Sequence, residues 1–328
     1  MDERKYRQRA QAEPKGNLGG MLRPLTSPPR LRRGDTVAVV APSGPVPADR
    51  LDDGIAHLRD WGLDVQVMPH VQDTHPGHRY LAGSDEARAA DFQEAWLDPD
   101  VRGIVTARGG YGAARMVELV DWDALAATDP KVLVGYSDCT VLHQAVAARL
   151  GLVSLHGPMS GTVSFLKSEP AREHLRRTLF EPETAQTVTS PQAHTLVGGT
   201  ARGITTGGCL SLLTTSVGVG TTPPSAAGGI VLLEDVDEKA YRIDSFLTHL
   251  LRAGWFDGAV GIVLGSWQDC EPVEPIVLDL LGPLGIPILG ELGFGHGPDP
   301  LTVPLGVSAE LDADAGTLTL DHPALTLR

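Results

Sequence analysis

Short apolar runs and amphipathic stretches alternate along the first half of the chain. TVAVVAPSG (36–44) predicts a buried strand that ends in a turn. In DRLDDGIAHLRDWG (49–62), Leu51, Ile55 and Leu58 share one helical face, and Gly62 supplies the stop. LDVQVMP (63–69) reads as a second strand. SDEARAADFQEAWL (84–97) reads as a helix with Ser84 as N-cap, acidic residues in its first turn, and Phe92, Trp96 and Leu97 as apolar contacts. GIVTA (103–107) is a third strand, followed by a Gly-rich turn and a short helix, ARMVELV. KVLVG (131–135) and TVLHQAVAARL (140–150) complete a fourth strand–helix pair. Four such alternations are the signature of a parallel sheet covered by helices on both faces.

After HGPM (156–159) the pattern loosens. REHLRRTLF is a short helix, and EPETAQTVTSPQAHT (181–195) has the composition of a connector. Clear elements return at GGIVLLEDV (228–236), the amphipathic YRIDSFLTHLLRAGWF, and GAVGIVLGSW (258–267); PILGELGFGHG and GTLTL close the chain. The domains expected are a Rossmann-like unit over 34–165, a linker with a connecting helix over 166–197, and a smaller β-rich unit over 198–328. Residues 1–33, basic and rich in Pro and Gly, lack the apolar core of a signal peptide and read as a disordered tail, with Met21 a second candidate start. No internal repeat is visible.

Composition narrows the function. The 328 residues are 42% hydrophobic and 21% charged, a soluble globular balance with room for two domains. A net charge of -14 argues against a nucleic-acid or anionic-membrane binder. No apolar run approaches the roughly 20 residues needed to span a bilayer. Cys139, Cys209 and Cys270 form neither a disulfide framework nor a zinc pattern, which suits a reducing cytoplasm.

Four segments carry candidate chemistry. Ser137 follows an apolar strand and precedes a helix, at the carboxyl end of a parallel strand where ligands bind. Either it is held up as a nucleophile, with Gly135 and Cys139 as the small flanking residues, or Ser137 or Asp138 caps the helix, the commoner use of such residues. TARGGYGAARM (106–116) has three glycines and fits an oxyanion hole, a phosphate cradle or a plain turn. Arg115 stands where a dinucleotide fingerprint needs glycine, so no nucleotide cofactor is expected. Glu234 ends an apolar strand, and spacing alone does not choose between it and Asp235, Asp237 or Glu238. His296 lies between Gly295 and Gly297, a sterically open frame for a base that must reach a substrate. His70, His75 and His78 cluster in a polar loop without a metal-ligand pattern, and no metal site is expected there. His143 and His156 read as structural.

These segments resemble the LD-carboxypeptidase family of serine peptidases, which also holds the microcin C immunity peptidases. The resemblance runs from about Gly34 to the C-terminus, through AVVAPSG, YLAGSDEARAADFQ, DPDVRGIVTARGGYGAAR, GYSDCTVLH, HGPM, GGCLSLL, LLEDVDEKAYRID, VLGSW and GFGHGPDPLTVPLG. It implies Ser137 as nucleophile, Glu234 as acidic member, His296 as base, and the backbone amides of Gly110 and Asp138 as oxyanion hole. It implies a site between the two domains, no cofactor, and a cytoplasmic homodimer. The substrate implied is a murein tetrapeptide, cut before its terminal D-alanine; the alternative is a peptidyl or aminoacyl nucleotide. TTPPSAAGG (221–229), the loop before the acidic residue, offers no aromatic to stack on a base and so tilts toward the muropeptide. Arg108, Tyr111 and Arg242 are candidate substrate contacts. Cys209, Ser245 and the Thr140–Val141 pair depart from the family pattern. From another class, a non-catalytic ligand binder would use Ser137 only as a cap.

Overall fold

The computed structural model describes residues 20–223 and 225–327. Five strands come from the first half: β1 (Thr36–Val40), β2 (Asp64–Val67), β3 (Val101–Thr106), β4 (Val132–Gly135) and β5 (Ser154–His156). The rest are β6 (Thr187–Thr189), β7 (His194–Val197), β8 (Thr200–Cys209), β9 (Gly229–Val236), β10 (Gly261–Gln268), β11 (Ile288–Gly290), β12 (Val303–Leu305), β13 (Ser308–Asp312) and β14 (Thr317–Leu320). They form a six-stranded sheet, β12-β5-β4-β3-β1-β2, and an eight-stranded sheet, β6-β14-β13-β8-β9-β10-β11-β7.

The first sheet is parallel except for β12, which lies antiparallel to β5. The apolar runs of β1, β3, β4 and β5 are buried, whereas the edge strand β2 is largely exposed. The predicted helical face is in place: Leu51, Ile55 and Leu58 of the helix Ala48–Asp60 are buried, and Gly62 follows at φ +85°. Ser84 caps the helix Asp85–Leu97, its Oγ accepting from Ala87 N at 3.1 Å. Phe92 and Trp96 are buried as expected, but Leu97 is exposed, since the chain leaves the helix immediately after it.

In the second sheet, β8, β9, β10 and β11 run parallel, flanked by antiparallel strands. Alternation along β9 separates two cores. Ile230 and Leu232 face the core shared with the first sheet, whereas Val231 and Leu233 pack on the outer helices Leu210–Thr215 and Ala240–Arg252.

Two expectations are corrected. The segment read as a connector supplies β6 and β7, the outermost strands of the second sheet; too short and polar to show a period, they take their order from pairing with β14 and β11. The described part of the tail is packed on the fold: Leu22 N donates to Ala227 O at 2.7 Å, Leu25 N to Gly306 O at 2.8 Å, and Leu31 is buried. Its part over 1–19 lies outside the described residues. No helix among the described residues is long and apolar enough to cross a membrane.

The two sheets meet where the helix Thr140–Ala145 lies against β8. Thr140 Oγ1 accepts from Cys209 N at 3.0 Å, and Gln144 Nε2 donates to Gly207 O at 3.1 Å. Gly207 and Gly208 have φ of +128° and +136°, and a Cβ on Gly208 would stand 2.6 Å from Thr140 Oγ1. Gly208→Val is therefore expected to destabilise the protein by about 3 kcal/mol, from backbone strain and overpacking. Gly282→Ala, whose added Cβ meets nothing within 4 Å, should stay within about 0.5 kcal/mol. Urea midpoints of the two variants against the parent check both.

Candidate active site

Strand β4 ends at Gly135, and Tyr136 continues extended before the chain turns sharply. Ser137 takes φ +62°, left-handed without being glycine, a conformation costing on the order of 1–3 kcal/mol unless its surroundings enforce it. They do. A Cβ on Gly135 would stand 2.6 Å from Thr106 Oγ1 and 3.0 Å from Cys139 Cβ, and Cys139 N closes the turn on Tyr136 O at 3.2 Å. Neither Ser137 nor Asp138 caps the helix with its side chain. The Asp138 carboxylate instead accepts from Ala113 N at 2.8 Å, tying the serine turn to the glycine turn; burial pushes its pKa up.

That glycine turn presses on the serine. A Cβ on Gly109 would fall 2.8 Å from Ser137 Cβ, and Gly109 O accepts from Gly44 N at 3.0 Å. Gly110 has φ +110°, and no hydrogen bond occupies its N–H among the described residues. The Asp138 N–H belongs to the first turn of a 3₁₀ segment, where amides have no intrahelical acceptor. Beneath lies Arg88, 1% exposed, bonded to Pro42 O and Asp85. Its burial was not visible in the sequence; Gly112 is the trace of it, since a Cβ there would meet the guanidinium at 2.5 Å.

Glu234 lies near the end of β9, fully buried, and its Oε2 meets His296 Nδ1 at 2.6 Å. The neighbouring acids point elsewhere. Asp235 accepts from Ser211 N and Val236 N, and Glu238 pairs with Arg242. The glycine frame of His296 serves contact rather than openness. A Cβ on Gly295 would lie 2.4 Å from Glu234 Oε2, and one on Gly297 2.4 Å from Ser266 Oγ. Burial alone would push the Glu234 carboxyl up, but the imidazoles of His296 and His156 outweigh it and bring it to about 2. Burial likewise pulls His296 down, and the charge and hydrogen bond of Glu234 override it, leaving its pKa raised. With Nδ1–H donated to the carboxylate, Nε2 is the free acceptor.

Tyr136, next to Ser137, packs edge-on against the His296 ring with centroids 4.9 Å apart. No hydrogen bond joins Ser137 Oγ to His296 among the described residues. Two clefts open beside this point. One, of about 510 Å³, is lined by Tyr136, Ser164, Lys167, Gln268 and His296. The other, of about 550 Å³, is lined by Gly44, Arg79, Tyr80, Arg108, Gly110 and Tyr111. Arg108 and Tyr111 thus share a cleft with Gly110. Arg242 lines neither; it pairs with Glu238 and lies 5.0 Å from the Phe246 ring centre. Of the loop histidines, His70 bonds Asp91 at 2.7 Å, and His75 stacks on His78. Cys209 and Thr140 hold the contact between the sheets, and Ser245 is exposed.

The chain matches the LD-carboxypeptidase N-terminal domain over residues 37–157 and the LD-carboxypeptidase C-terminal domain over 202–311. A Streptomyces coelicolor protein described as "Putative carboxypeptidase" is 56% identical over 93% of this chain and 99% of its own. The murein tetrapeptide carboxypeptidase of Pseudomonas aeruginosa is 30% identical over 85% of this chain and 93% of its own. Among solved structures, the microcin C7 self-immunity protein MccF superposes with a TM-score of 0.82 at 23% identity, covering 92% of this chain and 100% of the other, a likeness of fold. The chain belongs to the LD-carboxypeptidase family of serine-type peptidases.

Proposed function

We propose that the enzyme hydrolyses the L,D-peptide bond before the terminal D-alanine of murein tetrapeptides through an acyl-enzyme on Ser137. The observation that carries this is the buried 2.6 Å bond between Glu234 and His296, whose ring packs on Tyr136, the residue before a serine held in a left-handed turn. His296 Nε2 takes the proton as Ser137 Oγ attacks the carbonyl, and later returns it to the leaving D-alanine nitrogen. Glu234 keeps the proton of His296 on Nδ1 and stabilises the imidazolium. The N–H groups of Gly110 and Asp138 receive the oxyanion. Water then frees the shortened peptide.

A carboxypeptidase must also read a free carboxylate. Arg79 and Arg108 line the cleft beside Gly110, and neither guanidinium pairs with a carboxylate among the described residues. We assign them that task, with Tyr111 as a wall. The murein tetrapeptide carboxypeptidase relative supports the substrate class. A peptidyl or aminoacyl nucleotide is the second reading; Tyr80 and Tyr111, ring centres 6.0 Å apart in the same cleft, favour it as stacking faces. A cytoplasmic setting and a homodimer follow from the family resemblance, and sedimentation tests the dimer.

Ser137→Ala is expected to cut D-alanine release from a murein tetrapeptide by on the order of 10³-fold or more with the circular dichroism spectrum unchanged. Retained turnover would remove Ser137 from the chemistry, and a parent that hydrolyses only the nucleotide conjugate would favour the second reading. Arg108→Gln should raise KM about tenfold and change kcat less. The raised His296 pKa sets the acid limb: kcat/KM rises with pH as the imidazolium loses its proton, while Glu234, with a pKa of about 2, stays ionised throughout. Glu234→Gln removes the charge that raises His296, so the limb should move to lower pH in a kcat/KM–pH profile, with a lower plateau.

A further inference from the structure

His156 ends β5 directly beside Gly135, the residue from which the serine turn departs. It was expected to be structural, and its surroundings say more. The residue is 1% exposed, and its Nε2 stands 3.6 Å from Glu234 Oε1, the oxygen that His296 does not use. Neither ring nitrogen of His156 nor Glu234 Oε1 has a hydrogen-bond partner among the described residues. A fully buried carboxylate with one hydrogen bond is under-satisfied, and so is a buried imidazole with none.

The rest of the cage cannot serve Glu234. Tyr136 and Phe294 present rings to His156 at 5.9 and 5.6 Å. His143, ring centre 6.1 Å away, is already committed. Its Nε2 faces Gly135 O at 2.8 Å and, opposite a carbonyl, must carry the proton; its Nδ1 then accepts from the Ser154 hydroxyl at 2.8 Å. Burial holds its pKa at about 3, so it is neutral. His156 Nε2–H is the donor that the fold brings up to Glu234 Oε1, at 3.6 Å, and a shift of about 0.5 Å makes the bond.

We propose that His156 is a positioning residue: its Nε2–H donates to Glu234 Oε1 and fixes the carboxylate so that Oε2 meets His296 Nδ1. His156 belongs to the first sheet and Glu234 to the second, so the orientation of the base is set across the domain contact. The acid–base pair is held from both sides, by Gly295 packing on Oε2 and by His156 on Oε1.

The proposal rests on the Ser137–His296–Glu234 assignment, so its test reads Ser137 reactivity without needing the natural substrate. The second-order rate at which a fluorophosphonate labels Ser137 is measured in the parent, His156→Phe, His156→Gln, Glu234→Gln and Glu234→Gln/His156→Phe, each checked for folding by thermal melt. His156→Phe, which keeps the aromatic packing but has no donor, should label on the order of 10- to 100-fold more slowly, and His156→Gln, which keeps an N–H, should recover most of that loss. In the Glu234→Gln background, His156→Phe should cost less than about twofold more, because the partner it holds is gone. If His156→Phe does not fold, His156→Met takes its place. Parental labelling in the donor-less variant, or an equal loss with and without Glu234, overturns the positioning role while leaving the triad standing. Absence of labelling at Ser137 in the parent overturns the triad, and His156's role with it.

Discussion

Everything at the site depends on how closely one helix approaches one strand. Ser137 leads into the helix that carries Thr140 and Gln144, and those two side chains sit on the backbone of Gly207, Gly208 and Cys209. Glu234 is the β9 neighbour of Cys209 in register. The serine turn and Glu234 are therefore held together across a contact in which the helix supplies side chains and the strand only backbone at Gly207 and Gly208. A side chain at Gly208 would meet Thr140 Oγ1 at 2.6 Å, so helix or strand would have to give way and the serine turn would shift relative to Glu234.

A second constraint is electrostatic. Glu234 has no water-exposed surface, and a carboxylate taken from water without partners would give up its charge. Here two imidazoles approach its two oxygens, and at Gly295 the backbone packs so close that an added Cβ would fall 2.4 Å from Oε2. The same pairing raises the pKa of His296, so burial of the acid and basicity of the histidine are one property. Asp138 plays a separate part beneath: its carboxylate joins the serine turn to the glycine turn, which holds the Gly110 and Asp138 amides in a fixed relation.

Periodicity reveals the first sheet because its central strands are continuous buried apolar runs and helices such as Ala48–Asp60 bury one face. Strands β6, β7 and β12 were hidden for a physical reason: each has three or four residues, and an outermost strand needs no apolar alternation. Pro304 further disguises β12, and the edge of a sheet is where proline is tolerated. At the site, the motifs point to Ser137, Glu234 and His296, and the sequence reads their glycines as turn freedom, small size beside the serine and an open frame around the histidine. Gly109, Gly135, Gly208 and Gly295 also mark places where two segments of the chain touch, and Ser137, Thr106, Thr140 and Glu234, which they touch, are distant in sequence. Arg88 and His156 were missed because burial of a polar side chain leaves no periodic trace. The sign that was available for His156 was its place at the end of the strand next to β4.

After His296 the chain crosses back to pair β12 with β5, then returns to the second sheet as β13. The first sheet thus holds a strand from residues 303–305 and receives the N-terminal strap through Gly306. During synthesis, the serine-bearing half leaves the ribosome with an open edge beside His156 that nothing can close until almost the whole chain has emerged. Such long-range pairing folds slowly and exposes strand edges while it waits. A product that ends before residue 303 would still lack the strand that closes this edge, so the first sheet is completed late, close to chain completion.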